Sequence, residues 1–243
     1  MTILKTDTVS GIGTEGTVFE GDITFDSLNY MTLPKGTTTQ ANRGRALFGG
    51  GSTPTPVNTI TYILIQSSGR TIDFGDLFHA RYDMMGCSSG TRGVFAGGRD
   101  PAGNELDDTI DYVEIATTGN ATDFGNLSAS RGGTQGAVSY SIRGIWGGGF
   151  QPSQVNSIEY VTIATKGNTT HFGDLSAMNG TGKGGASSPT RGIIAGGYVH
   201  PTTSDSMEYI TFATTGDGVD FGNLTSARRM PQSGCSNGHG GLG

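Results

Sequence analysis

Asp73-Phe74-Gly75-Asp76-Leu77 returns as Asp123-Phe124-Gly125-Asn126-Leu127, as His171-Phe172-Gly173-Asp174-Leu175 and as Asp220-Phe221-Gly222-Asn223-Leu224. A worn copy, Thr24-Phe25-Asp26-Ser27-Leu28, precedes them. Successive Phe positions lie 49, 50, 48 and 49 residues apart, so the chain repeats with a period of about 49. Self-similarity at such a period marks a repeat architecture, in which each unit is one supersecondary element that buries its apolar faces by stacking on its neighbours.

Two further elements keep the same period. Arg-x-x-x-(Gly/Ala)-Gly-Gly begins at Arg45, Arg92, Arg143 and Arg191, and Ile/Met-x-Tyr-Ile/Val begins at Ile60, Ile110, Ile158 and Met207. From the first residue of the latter to the next Phe the distance is 14 in all four copies, which predicts an invariant hairpin. From the last Gly of the former to the start of the latter it is 9, 12, 9 and 10, and the residues change as well. That connection is the variable loop.

Each unit reads as four short strands separated by Gly, Asn and Thr clusters that mark turns. In Ile158-Glu159-Tyr160-Val161-Thr162-Ile163, Ile158 and Tyr160 share one face while Val161 and Ile163 share the other. A strand apolar on both faces is covered on both sides, as in small sheets stacked around an axis, where only short edges remain. The expected fold is therefore all-β, a propeller of four-stranded blades. The chain opens with a fourth-strand copy near Phe25 and closes with a first-strand copy, Gly234-Cys235-Ser236-Asn237-Gly238, matching Gly86-Cys87-Ser88-Ser89-Gly90. Both termini can complete one composite blade, and 243 residues at this period give about five blades. Residues 1–28 form an N-terminal segment that either finishes that blade or docks on a partner; residues 29–243 form the propeller.

Composition agrees. Glycine supplies 43 of 243 residues, well above an average usage of about 7%, and only 15% of residues are charged, which excludes a helical bundle. A formal charge of -6 with scattered Lys and Arg opposes a nucleic-acid surface, because that affinity rests on clustered cations that displace counterions. No stretch approaches the ~18 apolar residues of a membrane span, so no membrane insertion is expected, and residues 1–10 lack the apolar core of an export signal. Cys87 and Cys235 have no metal-ligand spacing and read as partly buried thiols.

The Gly-Gly end of the second strand, the aromatic of the third, the Phe-Gly-(Asp/Asn)-Leu of the fourth and the following Ala80-Arg81 or Ala227-Arg228 resemble kelch propeller blades over roughly residues 24–243. The Arg-Gly-Ile-x-x-Gly-Gly and Asp-Phe-Gly-(Asp/Asn)-Leu style is similar to that of kelch-like virion proteins of marine tailed phages, cyanophages especially. Leu33-Pro34-Lys35-Gly36-Thr37-Thr38 resembles the start of phage tail-fibre modules. This resemblance implies a tail or neck appendage on the particle surface, assembled with other virion proteins and copies of itself, that meets a host surface glycan or protein.

Candidate chemistry is sparse. Gly11-Ile12-Gly13-Thr14-Glu15-Gly16 fits a dinucleotide pattern but is followed by strand-like Thr17-Val18-Phe19-Glu20 rather than a helix, so no cofactor is expected. The Asp-Phe-Gly copies lack the other kinase motifs and read as structural turns. His79, His171, His200 and His239 share no repeat position or ligand spacing, so no metal site is expected. Arg45, Arg92, Arg143 and Arg191 recur with Asp73, Asp123 and Asp220, which reads as charge-assisted bonds tying blades; the rival is an arginine ring for an axial anion. Phe74, Phe124, Phe172 and Phe221 are expected at equivalent buried positions. Repetition itself argues against catalysis, because an active site uses residues that differ between blades.

Recognition is then expected on the variable loops of a rigid scaffold. The distinctive residues there are Arg99, Asp100 and Asn104, then Phe150 and Gln151, then Tyr198 and His200, whose aromatic and amide groups suit sugar rings. The expected function is a non-enzymatic virion appendage presenting these loops to a host. The alternatives are a soluble lectin-like module, a purely architectural virion protein, and a glycan hydrolase or oxidase.

Overall fold

Short apolar runs divided by glycine turns fold each repeat into an antiparallel meander. The computed structural model describes residues 44–65, 67–100, 105–133, 136–151, 153–176, 181–199, 201–228 and 234. All belong to one unit spanning residues 39–243. The N-terminal segment 1–28 lies outside the described residues.

The fold is all-β, with four antiparallel sheets in chain order that pack against one another. The first contains β1 (Arg45–Gly49), β2 (Thr59–Leu64) and β3 (Ile72–Asp76). The second runs β4 (Met85–Ser88), β5 (Arg92–Ala96), β6 (Thr109–Glu114) and β7 (Thr122–Asn126). The third repeats this order as β8 (Gly136–Tyr140), β9 (Arg143–Gly147), β10 (Ser157–Thr162) and β11 (Thr170–Asp174). The fourth has β12 (Gly184–Ser187), β13 (Arg191–Ala195), a two-residue β14 (Tyr198–Val199), β15 (Thr202–Thr211) and β16 (Val219–Arg228). The four-strand reading of the repeat therefore holds in the second and third sheets, and the fourth adds the short β14 beside β15.

Each apolar core joins one sheet to the next. Ile60, Phe74 and Leu77 of the first sheet pack with Phe95 and Val113 of the second. Phe124 and Ile110 of the second pack with Trp146, Val161 and Ile163 of the third, and Ile158 and Phe172 of the third pack with Ile194 and Ile210 of the fourth. Ile158 and Val161 thus face opposite neighbours, as the alternation in β10 predicts. Cys87 is buried in the core between the second and third sheets, and burial pushes its thiol up to about 12; Cys235 is outside the described residues.

The Phe-Gly motif is a strand irregularity, which corrects its reading as a turn. Ile60 faces Gly75 and Thr61 faces Asp73, so Phe74 is left out of the ladder; the same shift recurs beside Ile110 and Ile158. A bulge leaves its extra residue unpaired. The freed carbonyls of Phe74, Phe124 and Phe172 accept bonds from the amides of Gly119, Gly167 and Gly216, at 2.7, 2.8 and 2.8 Å, in the hairpin turn of the following sheet. Ala121, Thr169 and Gly218 add a second bond, to the carbonyls of Asp76, Asn126 and Asp174. A Cβ on Gly75, Gly125 or Gly173 would collide with the same turn backbone, which is why glycine follows each Phe.

The arginines tie neighbouring sheets by a different partner from the one expected. Arg45 Nη1 donates to the carbonyls of Ile115 (2.8 Å) and Ala116 (3.0 Å), Arg92 Nη1 to Ile163 (3.0 Å) and Ala164 (2.8 Å), and Arg143 Nη1 to Phe212 (2.6 Å). Each guanidinium also stacks over a tyrosine of its own sheet, Tyr62, Tyr112 or Tyr160. Asp73, Asp123 and Asp220 are exposed and are not the partners. The turn that carries these carbonyls is held at the joint by the bonds to Phe, so its acceptors stand ready for a guanidinium; Arg92 Nε also meets the carboxylate of Glu114, in its own sheet, at 2.7 Å.

Phe74, Phe124 and Phe172 are 2%, 1% and 3% exposed, but Phe221 is 48% exposed, which corrects the expectation of four equivalent buried positions. Among the described residues, no sheet packs against the outer side of β16. Arg191 stacks over Tyr209 at 4.4 Å, and Gly222 has open space beside it. The opposite end mirrors this: Phe48, the counterpart of buried Phe95, Trp146 and Ile194, is 58% exposed, and Ile65, the counterpart of buried Ile163 and Phe212, is exposed as well.

Candidate functional site

Connections in an antiparallel meander alternate ends, so the loops between second and third strands emerge with the links between sheets. Backbone bridges fasten the two sets together: Tyr82 with Arg99, Gly132 with Phe150, and Thr181 with Tyr198. Arg99, Phe150 and Tyr198 each follow a Gly-Gly pair and so occupy one position in successive sheets.

These residues form a continuous row. The Arg99 guanidinium lies 5.9 Å from the Phe150 ring centroid, and Gln154 Nε2 of the Phe150 loop donates to the Tyr198 carbonyl at 2.8 Å. Arg99, Asp100, Phe150, Gln151 and Tyr198 are half-buried, because the loops lean on one another. Asn104 and His200 lie outside the described residues. Of the seven loop candidates, five are among the described residues, and Arg99, Phe150 and Tyr198 stand at one position in successive sheets.

Beneath this row runs a series of buried charges that sequence reading missed. Arg81 Nη2 meets Asp111 Oδ2 at 2.7 Å, and Arg131 Nη2 meets Glu159 Oε1. Each pair spans a joint, the arginine leaving one sheet and the acid standing in the third strand of the next. Phe78, Ser128 and Ser176 donate their amides to Asp111, Glu159 and Glu208 in the same way. Seven residues after each Phe stand Arg81, Arg131, Asn179 and Arg228, so the third repeat lacks the cation. Lys183 substitutes: it is buried, and Glu208 lies within its electrostatic reach.

Burial governs the protonation of these groups. It pushes the Lys183 ammonium down to about 7, against the attraction of Glu208, and lowers Arg131 against Glu159. Burial likewise raises Asp111, outweighing Arg81. Asp107 goes the other way: burial works to raise it, but hydrogen bonds from Thr109 and His79 and the charge of Arg81 hold it below the usual carboxylate range.

The pairing had one legible trace. Where the third-strand acid is replaced by Thr61, the preceding copy has Thr32 instead of an arginine. Among the described residues, no group of three or more His, Cys, Asp or Glu could hold a metal ion. The arrangement offers a guanidinium, two aromatic residues and amides in one row.

A comparison with known protein families matches none, and a comparison with curated proteins returns no match.

Proposed function

We propose that the four sheets are blades of a kelch-like β-propeller of about five blades, closed by a composite blade from both termini. We further propose that it serves as a non-enzymatic virion appendage on the tail or neck, assembled with other virion proteins and copies of itself. Closure is supported by the two uncovered faces, which are opposite halves of a joint made three times within the chain: Phe221, Gly222 and Arg191 on one, Phe48 and Ile65 on the other. Gly234 supports it too, because a Cβ there would strike the Gly185 carbonyl as one on Gly185 would strike that of Ala137.

The observation that carries recognition is the Arg99–Phe150–Tyr198 row, a contiguous and non-identical surface on an otherwise repeated scaffold. Weak contacts through such a row become durable when many copies engage one surface together. The appendage role and its place on the virion rest on the resemblance of the repeats to phage virion proteins.

Cryo-electron microscopy of the particle tests both parts. A ring attached to a tail or neck with the row facing outward is the expected result; a free monomer that binds glycans without partner chains would move the assignment to a lectin-like module. Simultaneous replacement of Phe150 and Tyr198 by alanine is expected to reduce adsorption, and unchanged adsorption would leave an architectural role.

A further inference from the structure

The joint between the first and second sheets departs from the repeat at five positions joined by a chain of contacts. Phe78 stands where later repeats have Ser128 and Ser176, and it is 71% exposed. His79 replaces Ala129 and Ala177, and its Nε2 meets Asp107 Oδ2. Asp107 in turn replaces Val57, Val155 and Ser204, and its amide donates to the Gly98 carbonyl at 3.0 Å, directly beside Arg99. Arg99 Nε lies 3.5 Å from Asp83 Oδ2.

Asp83 adds an independent observation. The bridges that align Tyr82 with Gly132 and Thr181 place Asp83 at the position of Gly133 and Gly182. All three are left-handed, with φ of 56°, 83° and 73°, and Asp83 is the one non-glycine residue with positive φ among the described residues. A side chain there is strained, and such strain concentrates at functional sites. The first joint accepts it and gains a carboxylate fixed against Arg99.

The Phe78 ring stands edge to face with His79, centroids 6.0 Å apart, and leaves an exposed aromatic surface suited to the C–H face of a pyranose, while the Asp83 carboxylate and Arg99 guanidinium, reached through His79 and Asp107, are planar groups suited to paired hydroxyls. Charge selects among sugars. Among the groups that reach the surface here, Asp83, Asp100, Glu105 and Asp108 outnumber Arg99 and His79, which disfavours uronates and sialates.

We propose that Phe78, Asp83 and Arg99 form a binding site for a neutral hexose of a surface polysaccharide. This rests on the recognition reading above and names its ligand class and location. The site is separate from the outer end of the row at Tyr198, so the two can be tested apart.

The test uses the full chain passed over beads bearing galactose, glucose or mannose, with glucuronate and sialate beads alongside. Retention on at least one neutral sugar, displaced by the free sugar, is expected. Phe78→Ala should lower retention at least tenfold and Phe78→Trp should restore it, while exposed Ile142→Ala, in the loop between β8 and β9 at the opposite end, should leave it unchanged. Phe78 is exposed, so its loss should not unfold the chain; Asp83→Gly relieves the backbone strain and should also abolish retention. Retention insensitive to Phe78→Ala, retention confined to the acidic beads, or no retention on any neutral sugar would each overturn the hexose site. In the last case, particles that lose adsorption on Phe150→Ala and Tyr198→Ala would still support the broader recognition reading.

Discussion

Arg131 reaches across a joint to Glu159 with both side chains almost wholly buried, 28 residues apart in the chain. The carboxylate also accepts bonds from the Ser128 amide (3.1 Å), the Ser128 hydroxyl and the Thr169 hydroxyl (2.6 Å). Glu159 is therefore saturated by groups from both sheets, which makes it a fixed point of the joint. Removing one partner strands a buried charge. Arg131→Ala is expected to cost about 3–5 kcal/mol, whereas replacing both partners by well-packed apolar residues is expected to be near neutral. Urea unfolding of the single and double variants separates the two outcomes.

Lys183 is the weak counterpart of that pair. Its folded pKa, about 7, lies below the ordinary lysine value of 10.5, so between these limits the unfolded chain holds a proton that the folded chain has released. Stability must then rise with pH from about 7 towards 10, at no more than about 1.4 kcal/mol per unit, and the penalty of the buried charge is present in full below 7. Lys183→Met should flatten this rise. Melting temperatures at pH 6, 8 and 9.5 measure it; equal slopes for the two proteins would contradict the assignment.

Gly173 and Gly216 touch across the third joint but do different things. A Cβ on Gly173 would collide with the Gly216 carbonyl, while one on Gly216 meets open space, and neither residue has a left-handed backbone. Gly173→Ala is expected to destabilise by about 1–3 kcal/mol through overpacking, and Gly216→Ala to stay within about 0.5 kcal/mol. Denaturant midpoints for the two variants give the comparison directly.

Phe221 reports on closure of the ring. Phe124→Ala should cost about 3–5 kcal/mol, as for any buried Phe. In a closed ring Phe221→Ala in the full chain should cost a similar amount; a loss below about 1 kcal/mol would mean that nothing covers β16. Thermal unfolding of both variants under one set of conditions decides between a ring and an open array.

The repeat was legible because it is written in local spacing. Phe74, Phe124 and Phe172 keep one environment, and the 14-residue distance from Ile60, Ile110 or Ile158 to the next Phe is the length of a bulged hairpin. The bulge itself was hidden, because a residue left out of a ladder carries no sequence mark except the glycine after it. Likewise Arg99, Phe150 and Tyr198 were visible as loop departures, but His79 and Asp107 are 28 residues apart and each is ordinary alone.

By itself the sequence determined the period, the all-β class, the strand count per repeat and the side of each sheet that varies. All of these follow from residue type and from distances within one repeat. The tertiary structure alone decided what the arginines bind, which acids are buried, and which irregular residues meet at the first joint. Those depend on contacts between successive repeats, where a guanidinium can choose between a solvated Asp73, Asp123 or Asp220 and a turn carbonyl held in place. Packing makes that choice, because the carbonyl is already ordered at the joint and the aspartate remains in water.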